Sequence, residues 1–465
     1  MKKHLTCFLV LLILILMICV FAAAEISGGF EYRILDDGSI KLRSYEGTET
    51  NLVIPETLDG YTVSTLDKYF SLSKPAKELI SITIPDTLTT IEPDAFSFTP
   101  KLKNIIISKN HPTLAFIDGV LYNKEHKSIL RYLQSNTAQH FDVPDGIKLI
   151  EEGAFFRSQL ISVNIPGSVE QINSEGFNQC HSLKELNMAE GLRIIESAVI
   201  FNCRSLETVT FPASVTDIGE YNCTDNLREI RVSPANPVIK VIDGALINQR
   251  DGLLIAFPDQ NGAETYTVPE GIIRIGNRAF DENKHIVKIN FPESLTSIGE
   301  NAFLSCSNLT EIIMPDSITE LGMSAFDCCT NVSHLHISAG LTEINDNFRM
   351  LGITELVIPE TTTSIEGSFN RLHITDVVIP SNVTYIGANS FGYCHNLASI
   401  TIPASVTKID KIDYMFLDNS EDLIFKVWPG SYAEQYCKEN QLKYEYIDGN
   451  TTTPEEDDPF SWLNP

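Results

Sequence analysis

Apolar residues in this chain recur in blocks, and one stretch shows the block written twice. Between Asn290 and Ile337 each copy opens on a strand-like end, Ile289–Phe291 and then Ile312–Met314, closed by Pro292 or Pro315. Leu295 or Ile318, Ile298-Gly299 or Leu321-Gly322, Ala302-Phe303 or Ala325-Phe326, Cys306 or Cys329, and Leu309 or Val332 then follow in the same order, 23 residues on. Self-similarity at one short period predicts coils stacked in a row, each burying an apolar side that it cannot bury alone.

The apolar–x–apolar triplet that marks each coil, usually followed by proline, occurs sixteen times. Its centres are Val53, Thr83, Ile106, Asp142, Asn164, Asn187, Thr210, Arg231, Thr267, Asn290, Ile313, His336, Val357, Val378, Thr401 and Lys426. Strand alternation predicts that the flanking residues point into the core and the centres point outward. Most steps are 21–23 residues, but Ile106 to Asp142 and Arg231 to Thr267 are 36. Both long steps carry the same insertion: Asn110-His111-Pro112 with Ile117-Asp118-Gly119-Val120-Leu121 matches Asn236-Pro237 with Ile242-Asp243-Gly244-Ala245-Leu246, shifted by 125 positions. Asp-Gly favours a tight turn, so each insertion reads as a hairpin projecting from one coil edge.

The ends read differently. Phe30–Ile34 and Ile40–Ser44 alternate around Asp36-Asp37-Gly38, a hairpin that would cover the first coil. Ser431 and Glu434 form a capping box that should start a helix near Tyr432, with Asn440 as its stop and a final strand within Leu442–Tyr446. Lys2 and Lys3, the apolar Leu9–Phe21 and Ala22-Ala23-Ala24 read as a secretory leader, too short to span a membrane. The expected map is leader 1–24, N-terminal capping hairpin 25–50, solenoid 51–427 with hairpin insertions near 109–141 and 234–266, C-terminal cap 428–448, and acidic disordered tail 449–465. The mature chain is expected to be secreted or held at the cell surface, with no transmembrane segment.

Charge narrows the partners. A formal net charge of −27 argues against nucleic acid and anionic membranes. No dinucleotide, phosphate-loop, zinc-protease, nucleophile-elbow or EF-hand fingerprint is present, so no cofactor, metal or catalytic residue is assigned.

Several segments resemble the BspA-like class of leucine-rich repeat proteins. They include Ile165-Pro166-x-Ser168-Val169-x-x-Ile172, Ile402-Pro403-x-Ser405-Val406-x-x-Ile409, Ile386-Gly387 with Phe391-x-x-Cys394-x-x-Leu397, the insertion Ile117–Tyr122, and Gly430–Tyr436. The resemblance covers roughly residues 30–448. It implies a leucine-rich repeat solenoid, mainly β, of stacked parallel strands with tight turns and short 3-10 or helical pieces, with a β-hairpin cap at one end and a helix–strand cap at the other. It also implies a bacterial secreted or surface protein, non-enzymatic, linked to adhesion and to binding host or matrix proteins. The alternative is a scaffold or spacer for another surface component.

Three features carry candidate chemistry. From Ile313 onward the outward centres turn apolar (Ile313, His336, Val357, Val378), beside a row of Glu311, His334, Glu355 and Asp376. Exposed apolar surface rimmed by polar groups marks interaction sites, so these eight residues form the candidate protein-binding strip, although Val and Ile also simply suit sheet surfaces. His334 and His336 project the same way and could seed a transition-metal site with Glu311 or Glu355; with no fixed third and fourth ligand, a solvated pair is the simpler reading. Cys180, Cys203, Cys306, Cys329 and Cys394 share one repeat slot, filled elsewhere by Thr99, Ser158, Thr224 and Asn283. That slot wants a small side chain able to hydrogen-bond; stacked thiols are the simpler reading, with Cys180–Cys203 and Cys306–Cys329 near enough for disulfides. The glycines after the coil isoleucine (Gly219, Gly276, Gly299, Gly387) read as turn geometry.

Overall fold

The computed structural model describes residues 25–220, 226–410, 419 and 422–447; the expected leader and tail, and Cys223, lie outside them. The chain forms two compact units, one running through Asn248 and one from Gln249. Each is a mainly-β solenoid with little helix.

Fifteen of the sixteen triplets are strands. Ser162–Ile165 shows the local reason: Val163 and Ile165 are buried, Asn164 is exposed, and Pro166 then ends the strand because it has no N–H to give the ladder. Most successive coils pair in parallel and in register, although Glu185–Met188 shares no ladder with Thr208–Phe211, nor Lys288–Asn290 with Glu311–Ile313. In the first unit Val53 faces Thr83 and Thr83 faces Ile106, while Asp142, Asn164 and Asn187 line up in a second ladder. In the second unit Thr267 faces Asn290, Ile313 faces His336, and Val378, Thr401 and Lys426 form one row.

Leu356 departs from the expectation. Thr354–Ile358 joins no ladder, although Leu356 and Ile358 are buried. One residue fewer separates Phe348 from Leu356 than separates Phe326 from Leu335, so the coil takes a shorter path there. Gly352 marks the crowding, since a Cβ on it would stand 2.5 Å from the Thr330 carbonyl oxygen.

The expected tight turns and short 3-10 pieces (Phe70–Leu72, Ala76–Glu78, Asp259–Asn261) are present, and beside them runs a second, unexpected parallel ladder. Its strands are two or three residues long: Ile150, Ile172, Ile195 and Ile218 stack in the first unit. Leu254, Ile275, Ile298 and Leu321 stack in the second, followed by Ile344, Ile365, Ile386 and Ile409. The glycines behind these isoleucines open a turn, since the Gly299 carbonyl accepts the Ala302 N–H at 3.3 Å, but turn geometry is not what demands glycine there. A Cβ on Gly219 would lie 2.5 Å from the Ser197 nitrogen, one on Gly299 2.6 Å from the Asn277 nitrogen, and one on Gly322 2.3 Å from the Glu300 nitrogen; at Gly387 it would meet the Glu366 side chain at 2.7 Å. None of the four has a positive φ; glycine is needed because the neighbouring coil comes too close for any side chain.

The insertions do not project. In the first, Leu114–Ile117 pairs antiparallel with Val120–Asn123, which pairs antiparallel with Ser128–Tyr132; that third strand then runs parallel to Leu149–Ile150 and heads the short ladder. Leu114, Val120, Leu121, Ile129 and Tyr132 are all buried. In the second, Ile239–Ile242 pairs antiparallel with Ala245–Asn248, and Leu253–Ala256 runs parallel to Arg274–Ile275.

Ring stacking organises the core. Phe257, Phe280, Phe303, Phe326, Phe348, Phe369 and Phe391 form one column, with centroids 4.7–6.0 Å apart and planes within 20° of parallel. In the first unit Tyr132, Phe155 and Phe177 stack in the same way, at 5.4 and 4.6 Å. The small-residue slot lies beside these rings. Each cysteine donates to the backbone carbonyl of the phenylalanine one coil earlier: Cys180 to Phe155 (3.0 Å), Cys203 to Phe177 (3.1 Å), Cys306 to Phe280 (3.0 Å), Cys329 to Phe303 (3.2 Å) and Cys394 to Phe369 (3.3 Å). All five thiols are buried and free.

At the N-terminal end, Phe30–Ile34 and Ile40–Tyr45 pair antiparallel, and Tyr32, Ile40 and Leu42 share a core with Leu52 and Val63. At the other end Ser431 caps the helix Tyr432–Glu439, its Oγ accepting the Glu434 N–H at 3.2 Å, while the Glu434 carboxylate accepts the Gly430 N–H at 2.6 Å. Tyr444–Tyr446 then pairs parallel with Ile424–Val427.

Candidate protein-binding face

Alternation places the strip residues on the outward side of the second unit's long ladders. Ile312, Leu335, Leu356 and Val377 point inward and are buried. Between them Val357 is 54% and Val378 62% exposed, while Ile313 and His336 are half-buried. His334, Glu355 and Asp376 are exposed and Glu311 half-buried. Register puts Glu311 beside His334 and Ile313 beside His336.

The eight residues do not form one ladder. Glu311 to His336 belong to one strand pair, Asp376 and Val378 to another sheet, and Glu355 and Val357 sit on the unpaired segment between. The strip is therefore a side-chain row interrupted in its backbone hydrogen bonding.

Its polar neighbours are unevenly occupied. Lys288 pairs with Glu311 at 2.7 Å, and Ser399 donates to Asp376 at 2.5 Å. On the other flank Glu293, Asp316 and Glu360, each just after a coil proline, are exposed as well. Carboxylates thus border the apolar row on both sides. Among the described residues no three His, Cys, Asp or Glu side chains, those of His334 and His336 included, converge closely enough to hold an ion.

The first unit's outward face is chemically different. Asn164 donates to Asp142 at 2.6 Å and Asn187 to Asn164 at 2.8 Å, so this stretch of polar side chains satisfies itself. Val53 and Ile106, however, are 66% and 47% exposed on either side of Thr83. Sequence reasoning passed over this pair; the signal was present in two apolar centres among the first three, but the neutral Asn51, Ser81 and Asn104 beside them gave no contrast.

Strongly perturbed titratable groups sit in the core and at the C-terminal cap, where hydrogen bonds from Lys438 and the Gly430 N–H hold Glu434 down at about 2. Burial pushes the Cys329 thiol up to about 12 and the Cys394 thiol up to about 11. Burial also lowers Arg131 to about 10, against the nearby Asp94 charge; its guanidinium donates to the Gly153 and Phe156 carbonyls at 2.5 and 3.0 Å. These are structural posts between coils. Among the described residues no helix is long and apolar enough to cross a membrane.

No curated protein matches the chain in sequence. Several solved structures are similar in fold. A leucine-rich cell surface protein from Faecalibacterium prausnitzii is 23% identical over 89% of this chain and 97% of its own, with a TM-score of 0.42. The pneumococcal vaccine antigen PcpA is 17% identical over 92% and 99%, with a TM-score of 0.40. A leucine-rich repeat protein from Bacteroides ovatus is 20% identical over 91% and 100%, with a TM-score of 0.37. Likeness at these scores says nothing about function. The family evidence is firmer: six copies of the BspA type leucine rich repeat region match residues 64–117, 119–228, 255–369 and 366–437. With that match over most of its length, and with coils whose registers the structure makes explicit, the chain belongs to the BspA-type leucine-rich repeat family.

Proposed function

We propose that this protein is an exported or surface-held, non-enzymatic binding protein that engages a protein partner through the second unit's sheet face. The observation that carries this reading is the exposure of Val357 and Val378 beside Glu355 and Asp376. Two aliphatic side chains more than half exposed, bordered by charge, make a surface that gains from being covered. Solenoids offer extended surfaces of this kind. An adhesive role toward host or matrix protein is the specific form of the proposal, drawn from the family resemblance. The leader-like residues 1–24 support export.

The test is a pull-down from extracellular-matrix and surface protein fractions with the chain and with a Val357→Asp/Val378→Asp variant. Outward positions tolerate the change, so folding should be kept. Loss of the captured partner in the variant supports the reading; unchanged capture rules the face out.

A further inference from the structure

The chemistry around the apolar row specifies its occupant more narrowly. Between Phe291 and Pro380 the chain carries twelve carboxylates, two arginines and no lysine. Both arginines are committed beside the ring column. Arg349 donates to Asp327 and to Ser324, each at 2.6 Å, and Arg371 lies over the Tyr393 ring at 5.0 Å. On the sheet face Lys288 pairs with Glu311 at 2.7 Å. Glu355, Glu360, Asp316 and Asp376 are exposed around Val357 and Val378. Like charges spaced along stacked coils reinforce one another, and the field they set up over an apolar row selects for positive charge.

Resting on the binding role proposed above, we infer that the occupant is a cationic, extended protein segment in which apolar side chains alternate with lysine or arginine. Its apolar side covers Val357 and Val378, and its cations meet the flanking carboxylates. A second copy of this chain is disfavoured on the same ground, because it would bring the same acidic face and a net charge of −27.

Short synthetic peptides that alternate valine with lysine, with serine or with glutamate test this by fluorescence anisotropy on the full chain. The valine–lysine peptide should bind roughly tenfold or more tighter than the valine–serine peptide, and lose most of that margin between about 50 and about 300 mM salt. The valine–glutamate peptide should not bind. A Glu355→Gln/Glu360→Gln/Asp376→Asn variant should bind valine–lysine and valine–serine alike. Equal binding of the lysine and serine peptides to the unaltered chain overturns the inference and leaves the binding face standing. Lysine-peptide binding that is unchanged in Val357→Thr/Val378→Thr overturns the binding face itself.

Discussion

The rings of Phe303 and Phe326 stand 5.0 Å apart and 2° from parallel. Phe303 is fully buried, and its other face meets Phe280 at 4.7 Å. Replacing it by alanine removes both contacts and leaves a gap that backbone pairing on two sides keeps from collapsing. Phe303→Ala should cost about 3–5 kcal/mol, and Phe303→Leu distinctly less. Urea unfolding followed by circular dichroism checks this; a loss below about 1 kcal/mol would mean the column contributes little.

Tyr132 heads the first unit's ring stack as Phe257 heads the second's. The Tyr132 hydroxyl is buried and meets no hydrogen-bond partner among the described residues. A buried unpaired hydroxyl costs stability, so Tyr132→Phe should leave the thermal midpoint unchanged or raise it, by up to about 1–2 kcal/mol of stability. A clear drop would show that the hydroxyl does have a partner.

His111 and Asn236 do the same work in the two insertions. Both are buried. The His111 Nδ1 accepts the Leu114 N–H at 3.0 Å and its Nε2 meets the Pro85 carbonyl at 3.2 Å. The Asn236 Oδ1 accepts the Ile239 N–H at 2.8 Å, and its Nδ2 donates to the Val215 carbonyl at 2.7 Å. His111→Asn should therefore be mild, and His111→Ala should cost about 1–3 kcal/mol by stranding both backbone groups. Chemical denaturation of the pair of variants distinguishes them.

The buried thiols make a pH prediction. An ordinary thiol at 9.0 is raised to about 11 at Cys394 and about 12 at Cys329, chiefly by burial. The folded state holds the protonated form, so this stability is complete below the unfolded value and is lost as pH rises through the folded one. Unfolding should become easier from about pH 9 upward. At pH 8 a thiol-alkylating reagent should label Cys328, which is half-buried, long before the six buried described cysteines. Mass spectrometry after timed alkylation reads the order; early labelling of Cys306 or Cys329 would contradict the burial.

Much of this was legible in the residues. The triplet strands, the hydrogen-bonding slot and the Ser431 cap each rest on a local pattern that one coil is enough to display. The short ladder was not legible, because strands such as Ile298 with its single neighbour are too brief to show alternation and exist only through pairing with the next coil. The same holds for Gly322: its sequence neighbours suggest a turn, and only the approach of Glu300 reveals the steric reason. Leu356 looked like every other coil residue, and the missing strand follows from a path length that composition does not show. For the binding face, the apolar row could be read from spacing, but not the break within it or the exposed Val53–Ile106 pair.

That break sets how the second unit responds to tension. Along most of its outer face a neighbouring coil is held by amide bonds that must rupture together, but Lys288–Asn290 and Glu311–Ile313 share no ladder, and Thr354–Ile358 joins none at all. At such seams interlocked side chains resist without that help, so a molecule pulled between a tether and its ligand should yield there before its paired coils part.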